Sequence, residues 1–220
     1  YTQPASIRAE IKRDLGEFPF PGFWGPAAGM TTPQGSADCV SCWIAESAKW
    51  VEQHQSPTLT TIYLPHRDYN LHRLGPNDPA IATDLKMIDE IVRDLVEFYE
   101  VRGAQPIILS EYGITETNRA IHLNRRFREQ GWLKIKEELG LELLDAGASK
   151  VFAVADHQVA HLYVNDPAIL NDVKALVASI DGVDSVLDGE AKTERGIAHE
   201  RAGCLVAVCA EDSGFTYYYW

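Results

Sequence analysis

The sequence predicts an α/β fold, a mainly parallel sheet flanked by helices with a small α+β subdomain, and three observations carry that expectation. Leu59 to Leu64 is a short β-rich run, Ala80 to Arg102 is a strongly periodic helix, and Pro106 to Leu109 is an apolar strand. A connection of this length between two strands of one sheet implies a parallel βαβ unit with a right-handed crossover. Beyond His122 the pattern changes to shorter alternating runs, which sets off a smaller subdomain at about residues 121–200 within one α/β domain spanning 1–220.

Taken in order, Pro4 through Leu15 carries Ile7, Ile11 and Leu15 at four-residue spacing, with Pro4 near the start and Gly16 after the end. This predicts a short amphipathic helix. Phe18 to Asp38 holds Pro19, Pro21, Pro26 and Pro33 with glycines between them, which no regular element tolerates. A second helix is expected over Val40 to Gln53, and Gly103 is placed to close the long helix at its C-cap. In the later part the expectation is a helix from His122 through Gln130, a short segment Trp132 to Ile135, then Glu137 to Asp145. Alternating strands follow at Val151 to Ala155 and Val159 to Val164. Pro167 to Ser179 reads as a helix with Asp166 as its N-cap, and a last pair of strands is expected at Cys204 to Val208 and Phe215 to Tyr219. There is no internal repeat and no low-complexity tract.

Composition narrows the function classes. With 45% hydrophobic and 24% charged residues the chain is an ordinary globular one, neither disordered nor membrane-spanning. The formal net charge of -12 argues against nucleic acid as a partner, because its phosphates are repelled unless a cation intervenes. An acidic enzyme acting on phosphate esters therefore needs cations at its site. Four cysteines are too few for a disulfide scaffold at this length, nothing suggests an oxidising compartment, and a cytoplasmic location is expected. Cys39-Val40-Ser41-Cys42 has the spacing of half a zinc ribbon, but Cys204 and Cys209 have the wrong spacing for the other half, so buried free thiols are the expectation.

Chemistry is expected where strands end, since ligands of open α/β sheets bind beyond the carboxyl ends of the strands. Leu59 to Leu64 runs into Pro65-His66-Arg67-Asp68-Tyr69-Asn70-Leu71-His72, and the strand ending at Leu109 runs into Ser110-Glu111-Tyr112-Gly113. A carboxylate and two imidazoles in one loop, facing a second carboxylate, offer the oxygen and nitrogen ligands that zinc, manganese or iron accept. Taken singly, Asp68 reads as a turn cap, His72 as a surface residue and Glu111 as one exposed acid among many. Their shared position at two strand ends favours a metal site. His157 and His161 lie where one strand ends and the next begins; a spacing of four would put both on one face. They are candidates for contacting substrate, although a turn residue and a hydrogen-bonded core histidine are the stronger expectation.

The succession of strand, Asp68 with His72 four positions on, Gly75-Pro76, long helix, strand and Ser110-Glu111-Tyr112-Gly113 resembles the alkaline phosphatase superfamily. The nearest branch is the nucleotide pyrophosphatase and type I phosphodiesterase group. Its first pattern is Asp, three residues, His, with Gly before the His and a Gly-Pro after it, and its second is Asp-His-Gly. His122-Leu123-Asn124-Arg125 with Gly131-Trp132-Leu133 is similar to a further family segment, so the likeness runs from about Leu59 to Val208. It implies an alkaline-phosphatase-like core, a divalent-metal-dependent hydrolase with one or two Zn or Mn ions, and a phosphate-ester or nucleotide-like small molecule as substrate.

Carried over residue by residue, Asp68 and His72 would hold one metal, Glu111 and Tyr112 would stand where the family places Asp-His on the other, and His66, His157 and His161 are the substrate-contact candidates. Leu71 replaces the usual Gly, and Glu111-Tyr112 replaces Asp-His, so the second site exchanges an imidazole for a phenol that either ligates as phenolate or hydrogen-bonds a phosphoryl oxygen. The family's nucleophilic Thr or Ser lies upstream, after a strand; Thr31-Thr32-Pro33 is only a superficial candidate. Its last metal-binding His lies beyond a strand such as Phe215 to Trp220. The resemblance therefore implies the middle portion of a phosphodiesterase-like protein, with the nucleophile outside this chain. The rival expectations are a noncatalytic phosphate- or metal-binding module on the same fold, and a phosphomonoesterase or phosphonate hydrolase relative.

Overall fold

A computed structural model describes residues 4–20, 39–65 and 68–220. The chain divides into two compact units, Tyr1–Ile114 and Thr115–Trp220.

In the first unit a 3-10 turn at Ala5–Ile7 leads into α1 (Arg8–Leu15), which buries Ile11 and ends, as expected, at Gly16, whose φ of 80° a residue with a side chain rarely adopts. α2 (Val40–Gln55) and α4 (Ile81–Glu100) pack their apolar faces together. Ala45 meets Ile91, Leu95 and Tyr99, with Cys42, Ile62, Leu64 and Phe98 around them. The Tyr99 hydroxyl donates to the Ala48 carbonyl at 3.2 Å, and Trp50 Nε1 donates to Asp14 at 2.9 Å, joining α2 to both of its neighbours. Between them lies α3 (Asp68–Leu74).

Three expectations are corrected here. Leu59 to Leu64 and Pro106 to Leu109 form no β-ladder among the described residues. A strand needs a hydrogen-bonded partner as well as propensity, and Leu59, Ile107, Ile108 and Leu109 are each at least 70% exposed. The loop expected to carry Asp68 and His72 is helical. Cys39 and Cys42, expected as thiols, are joined as a disulfide.

The second unit is built on a four-stranded antiparallel sheet in the order β4–β5–β7–β6, comprising β4 (Val151–Asp156), β5 (Val159–Val164), β6 (Val183–Leu187) and β7 (Leu205–Cys209). Alternation along β4 puts Val151, Ala153 and Ala155 inside. Against this face pack α5 (Leu123–Glu129) and α6 (Leu170–Ala178), burying Leu123, Phe127, Val173 and Val177 with Leu162 and Leu205. Asp166 caps the turn before α6 by accepting from Ala168 N, as expected. β2 (Lys134–Glu138) and β3 (Leu141–Asp145) form an antiparallel hairpin. α7 (Gly189–Glu194) follows β6, and β1 (Arg119–Ile121) pairs with β8 (Ser213–Phe215).

That last pair is the parallel one; the other ladders are antiparallel, so helices and strands are mixed as expected but a mainly parallel sheet is not what the described residues form. The final strand stops at Phe215 where Tyr219 was expected, because β1 offers only three residues to pair with. Cys209 is buried as expected, whereas Cys204 is exposed. Among the described residues no helix is long and apolar enough to cross a membrane.

Candidate metal centre

α3 has little apolar character to hold it in place, and polar contacts do so instead. Asp68 stands in its first turn, where a carboxylate suits the positive end of the helix. Gly75 ends it at φ 81°, with its N–H on the Leu71 carbonyl at 3.0 Å. Midway, Asn70 is 4% exposed and donates through Nδ2 to Asp84 Oδ2 at 2.6 Å. Arg73 donates to Asn70 Oδ1 at 2.8 Å. Asp84 belongs to the first turn of α4 and is itself buried, so this chain of contacts fixes α3 on α4.

The fixing matters because residues four apart share a helix face. His72 Nε2 lies 3.2 Å from Asp68 Oδ1. The Tyr112 hydroxyl donates to the same oxygen at 2.9 Å. Position 112 is thus brought to Asp68 across 44 residues of sequence. The Asp68 side chain retains 15% of its exposure and His72 46%, so one is sheltered and the other open to solvent.

Electrostatics define what Tyr112 can do. Its hydrogen bond to the Asp68 carboxylate, then burial and the charge of Asp68, with further contributions from Tyr63 and Glu111, push the phenol up to about 12. With its hydroxyl donating to Asp68, it is a proton donor at neutral pH. Tyr63 is also raised, by burial first and then by Asp68 and Glu111. Glu111 is exposed and acts on this cluster through its charge.

A carboxylate and an imidazole are suitable donors for zinc or manganese, and Asp68 with His72 fits that description as part of a coordination set. Among the described residues no group of three or more His, Cys, Asp or Glu side chains comes together, so Glu111 does not complete a set with them.

The remaining candidates lie elsewhere. His66 is outside the described residues. His157 sits in the β4–β5 turn at φ 54°, its carbonyl accepting from Phe215 N at 2.7 Å and its ring 3.7 Å from Asp156. His161 is on β5, with Nδ1 accepting from Gly203 N at 3.1 Å. The turn removes His157 from the strand, so the two do not share a strand face. Both belong to the second unit.

Sequence reasoning passed over Asn70, Asp84 and Tyr63. Asp84 carries a readable signal, since it interrupts the buried stripe of Ile81, Ile91, Leu95 and Tyr99 on α4, and a carboxylate there needs a partner. Tyr63 carries none.

A sequence profile of the type I phosphodiesterase / nucleotide pyrophosphatase family matches residues 7–220. No curated protein matches the chain. Among solved structures, it is similar to phosphonoacetate hydrolase from Sinorhizobium meliloti 1021 in complex with phosphonoacetate, at 18% identity and a TM-score of 0.52 over 87% of this chain and 47% of that one. It is also similar to an inactive variant of murine ectonucleotide pyrophosphatase / phosphodiesterase 5 in complex with AMP, at 18% identity and a TM-score of 0.55 over 78% of this chain and 43% of that one. The chain therefore spans less than half the length of these relatives and shares their fold.

Proposed function

Because the chain belongs to the type I phosphodiesterase / nucleotide pyrophosphatase family, we propose that its parent protein is a divalent-metal-dependent hydrolase of phosphate esters, with Asp68 and His72 holding one metal. The carrying observation is the Asp68–His72 pair, a carboxylate and an imidazole 3.2 Å apart on one face of a helix that buried polar contacts fix in place. Solved structures of the same fold hold phosphonoacetate in one case and AMP in another. These support a small phosphorus-containing anion as the substrate, with a nucleotide pyrophosphatase or phosphodiesterase activity as the preferred reading.

When bound, a divalent metal supplies charge stabilisation to phosphoryl oxygens and lowers the pKa of a coordinated hydroxyl. The chain's own residues prepare that chemistry. Asp68 contributes a carboxylate oxygen, His72 an imidazole nitrogen on the solvent side, and Asn70 with Asp84 keeps both in register. Tyr112, held as a phenol, donates one hydrogen bond to Asp68 and is placed to offer it to a phosphoryl oxygen instead. In this reading the nucleophilic Thr or Ser lies outside the 220 residues, which span under half of the solved relatives.

The test is metal-linked stability in the parent-length protein. Manganese or zinc in large excess over its dissociation constant is expected to stabilise by a few kcal/mol, about 3 at a hundredfold excess, and Asp68→Ala is expected to abolish the shift. Absence of any metal-linked shift sinks the proposal. The Glu111-Tyr112 pair, unlike the family's Asp-His, favours a second reading, a noncatalytic module that binds phosphate or metal. Turnover of a chromogenic phosphodiester by the parent-length protein excludes it.

A further inference from the structure

The Cys39–Cys42 disulfide plays no part in the hydrolase reading. We infer that it is a thiol–disulfide exchange site, opened by small-molecule thiols at the Cys42 sulfur, and not a structural staple.

A bridge between residues three apart closes a very short loop, and loop-closure entropy makes such bridges the least effective at restricting the unfolded chain. Cross-linking therefore gives little reason for the pair. Its setting gives a better one. Cys39 is the N-cap of α2, a helix of 16 residues, and the Cys42 backbone N–H donates to Cys39 Sγ at 3.2 Å. The first turn of α2 carries no acidic side chain to oppose negative charge. A thiolate on Cys39 is thus stabilised by an amide donor and by the positive end of the helix, which is how low-pKa cysteines are made.

The two sulfurs differ in access. Cys39 is 1% exposed, whereas Cys42 is only half-buried. An incoming thiolate meets Cys42 first, and the better-stabilised thiolate is the one that leaves. In the first step the external thiolate sulfur bonds to Cys42 Sγ, the Cys39–Cys42 bond breaks, and its electron pair departs on Cys39. In the second step another thiolate attacks the external sulfur of the mixed disulfide and releases Cys42. Two external thiols are oxidised to one external disulfide, the protein disulfide is reduced to two thiols, and the external thiols supply both protons. The reverse reaction uses a small-molecule disulfide.

The redox state has a route into the fold, since Cys42, like Ile62 and Leu64, packs against the cluster of Ala45, Ile91, Leu95 and Tyr99. The segment holding Ile62 and Leu64 leads to Asp68. Cys204 and Cys209, both unbridged and in the other unit, serve as internal references.

The experiment equilibrates the native 220-residue chain in buffers of reduced and oxidised glutathione, quenches with acid, and counts thiols by alkylation in denaturant and mass spectrometry. The expected result is a reversible rise from two free thiols to four as the buffer becomes reducing, with Cys39 and Cys42 gained together. Two thiols at the fully reducing limit, or four at the fully oxidising one, overturns the inference. The direction of attack is read from single variants that retain the far-UV spectrum of the parent. Cys39→Ser, with Cys42 free, is expected to form a glutathione mixed disulfide at least about tenfold faster than Cys42→Ser. Equal rates, or the opposite order, overturn the assignment of Cys42 as the attacked sulfur.

Discussion

Asn124→Ala in the second unit isolates a device that substitutes for a missing strand. β4 lies at one edge of the four-stranded sheet, and Ala153 within it turns both backbone groups outward. Asn124 on α5 satisfies both: its Nδ2 donates to the Ala153 carbonyl at 2.8 Å, and its Oδ1 accepts from the Ala153 N–H at 2.7 Å. Asn124 is 3% exposed and Ala153 6%, so water does not replace the amide without rearrangement. Leaving one buried backbone donor or acceptor unpaired costs about 1–3 kcal/mol, and here there are two. The expected loss is about 3 kcal/mol, and removal of the side chain also uncovers an edge available for pairing with another chain. Urea unfolding followed by circular dichroism is the assay, where the midpoint falls while the slope is unchanged. Asn124→Asp keeps an acceptor for the Ala153 N–H but sets a carboxylate against the Ala153 carbonyl, so it is expected to be at least as damaging at neutral pH. A loss below about 1 kcal/mol for Asn124→Ala refutes the edge-capping account.

Other expected outcomes concern the two units separately. In the second, a Cβ at Gly203 would lie 2.6 Å from Leu162 N and 2.8 Å from both Leu162 O and Leu205 O, all backbone atoms that cannot step aside. Gly203→Ala is therefore expected to cost about 3 kcal/mol in thermal unfolding, with an unchanged melting temperature refuting it. In the first, Tyr112 is held at about 12, above its ordinary value of 10. Its stabilising contribution is fully present below pH 10 and is lost as pH rises through 12. The 295 nm absorbance of the wild type minus that of Tyr112→Phe is expected to titrate above pH 11, and a midpoint at or below 10 contradicts the Asp68 hydrogen bond.

What was readable in the sequence divides by how local its cause is. α1, α2, α4 and α5 were legible because a 3.6-residue period and a cap are local properties, and β4 and β5 because their side chains alternate. The state of Leu59 to Leu64 and of Pro106 to Leu109 was not, since a ladder depends on a partner that the run itself does not specify. α3 was hidden for a different reason: its anchor is a hydrogen bond from Asn70 to Asp84, 14 residues away, with no apolar stripe to announce it. At the site, the four-residue spacing of Asp68 and His72 was visible, but it brings their side chains together only because α3 is helical, and the Tyr112–Asp68 bond depends on tertiary structure. The Cys39–Cys42 spacing was equally consistent with two thiols, and only the N-cap position of Cys39 brings the sulfurs together.

On the proposed reading, in which Tyr112 stands where the family resemblance expects an imidazole, the kind of group offered to a metal changes. An imidazole presents a lone pair at neutral pH, but a phenol held at about 12 presents a proton, and here that proton is directed at Asp68 Oδ1. A metal at Asp68 and His72 must compete with this bond, because His72 Nε2 addresses the same oxygen. If Tyr112 is a competitor, Tyr112→Phe frees the carboxylate and tightens metal binding. A hydrogen bond to a charged group is worth about 1.5–3 kcal/mol when sheltered and less at a half-exposed phenol, so the expected gain is about three- to tenfold in affinity. If Tyr112 is instead a ligand, the same substitution weakens binding, and the sign of the change in a calorimetric titration with manganese decides between them. The competitor reading further requires that Tyr112→His, which restores a lone-pair donor, raise the number of metal ions bound. A wild type and a Tyr112→His variant with equal stoichiometry would show that position 112 does not control metal occupancy.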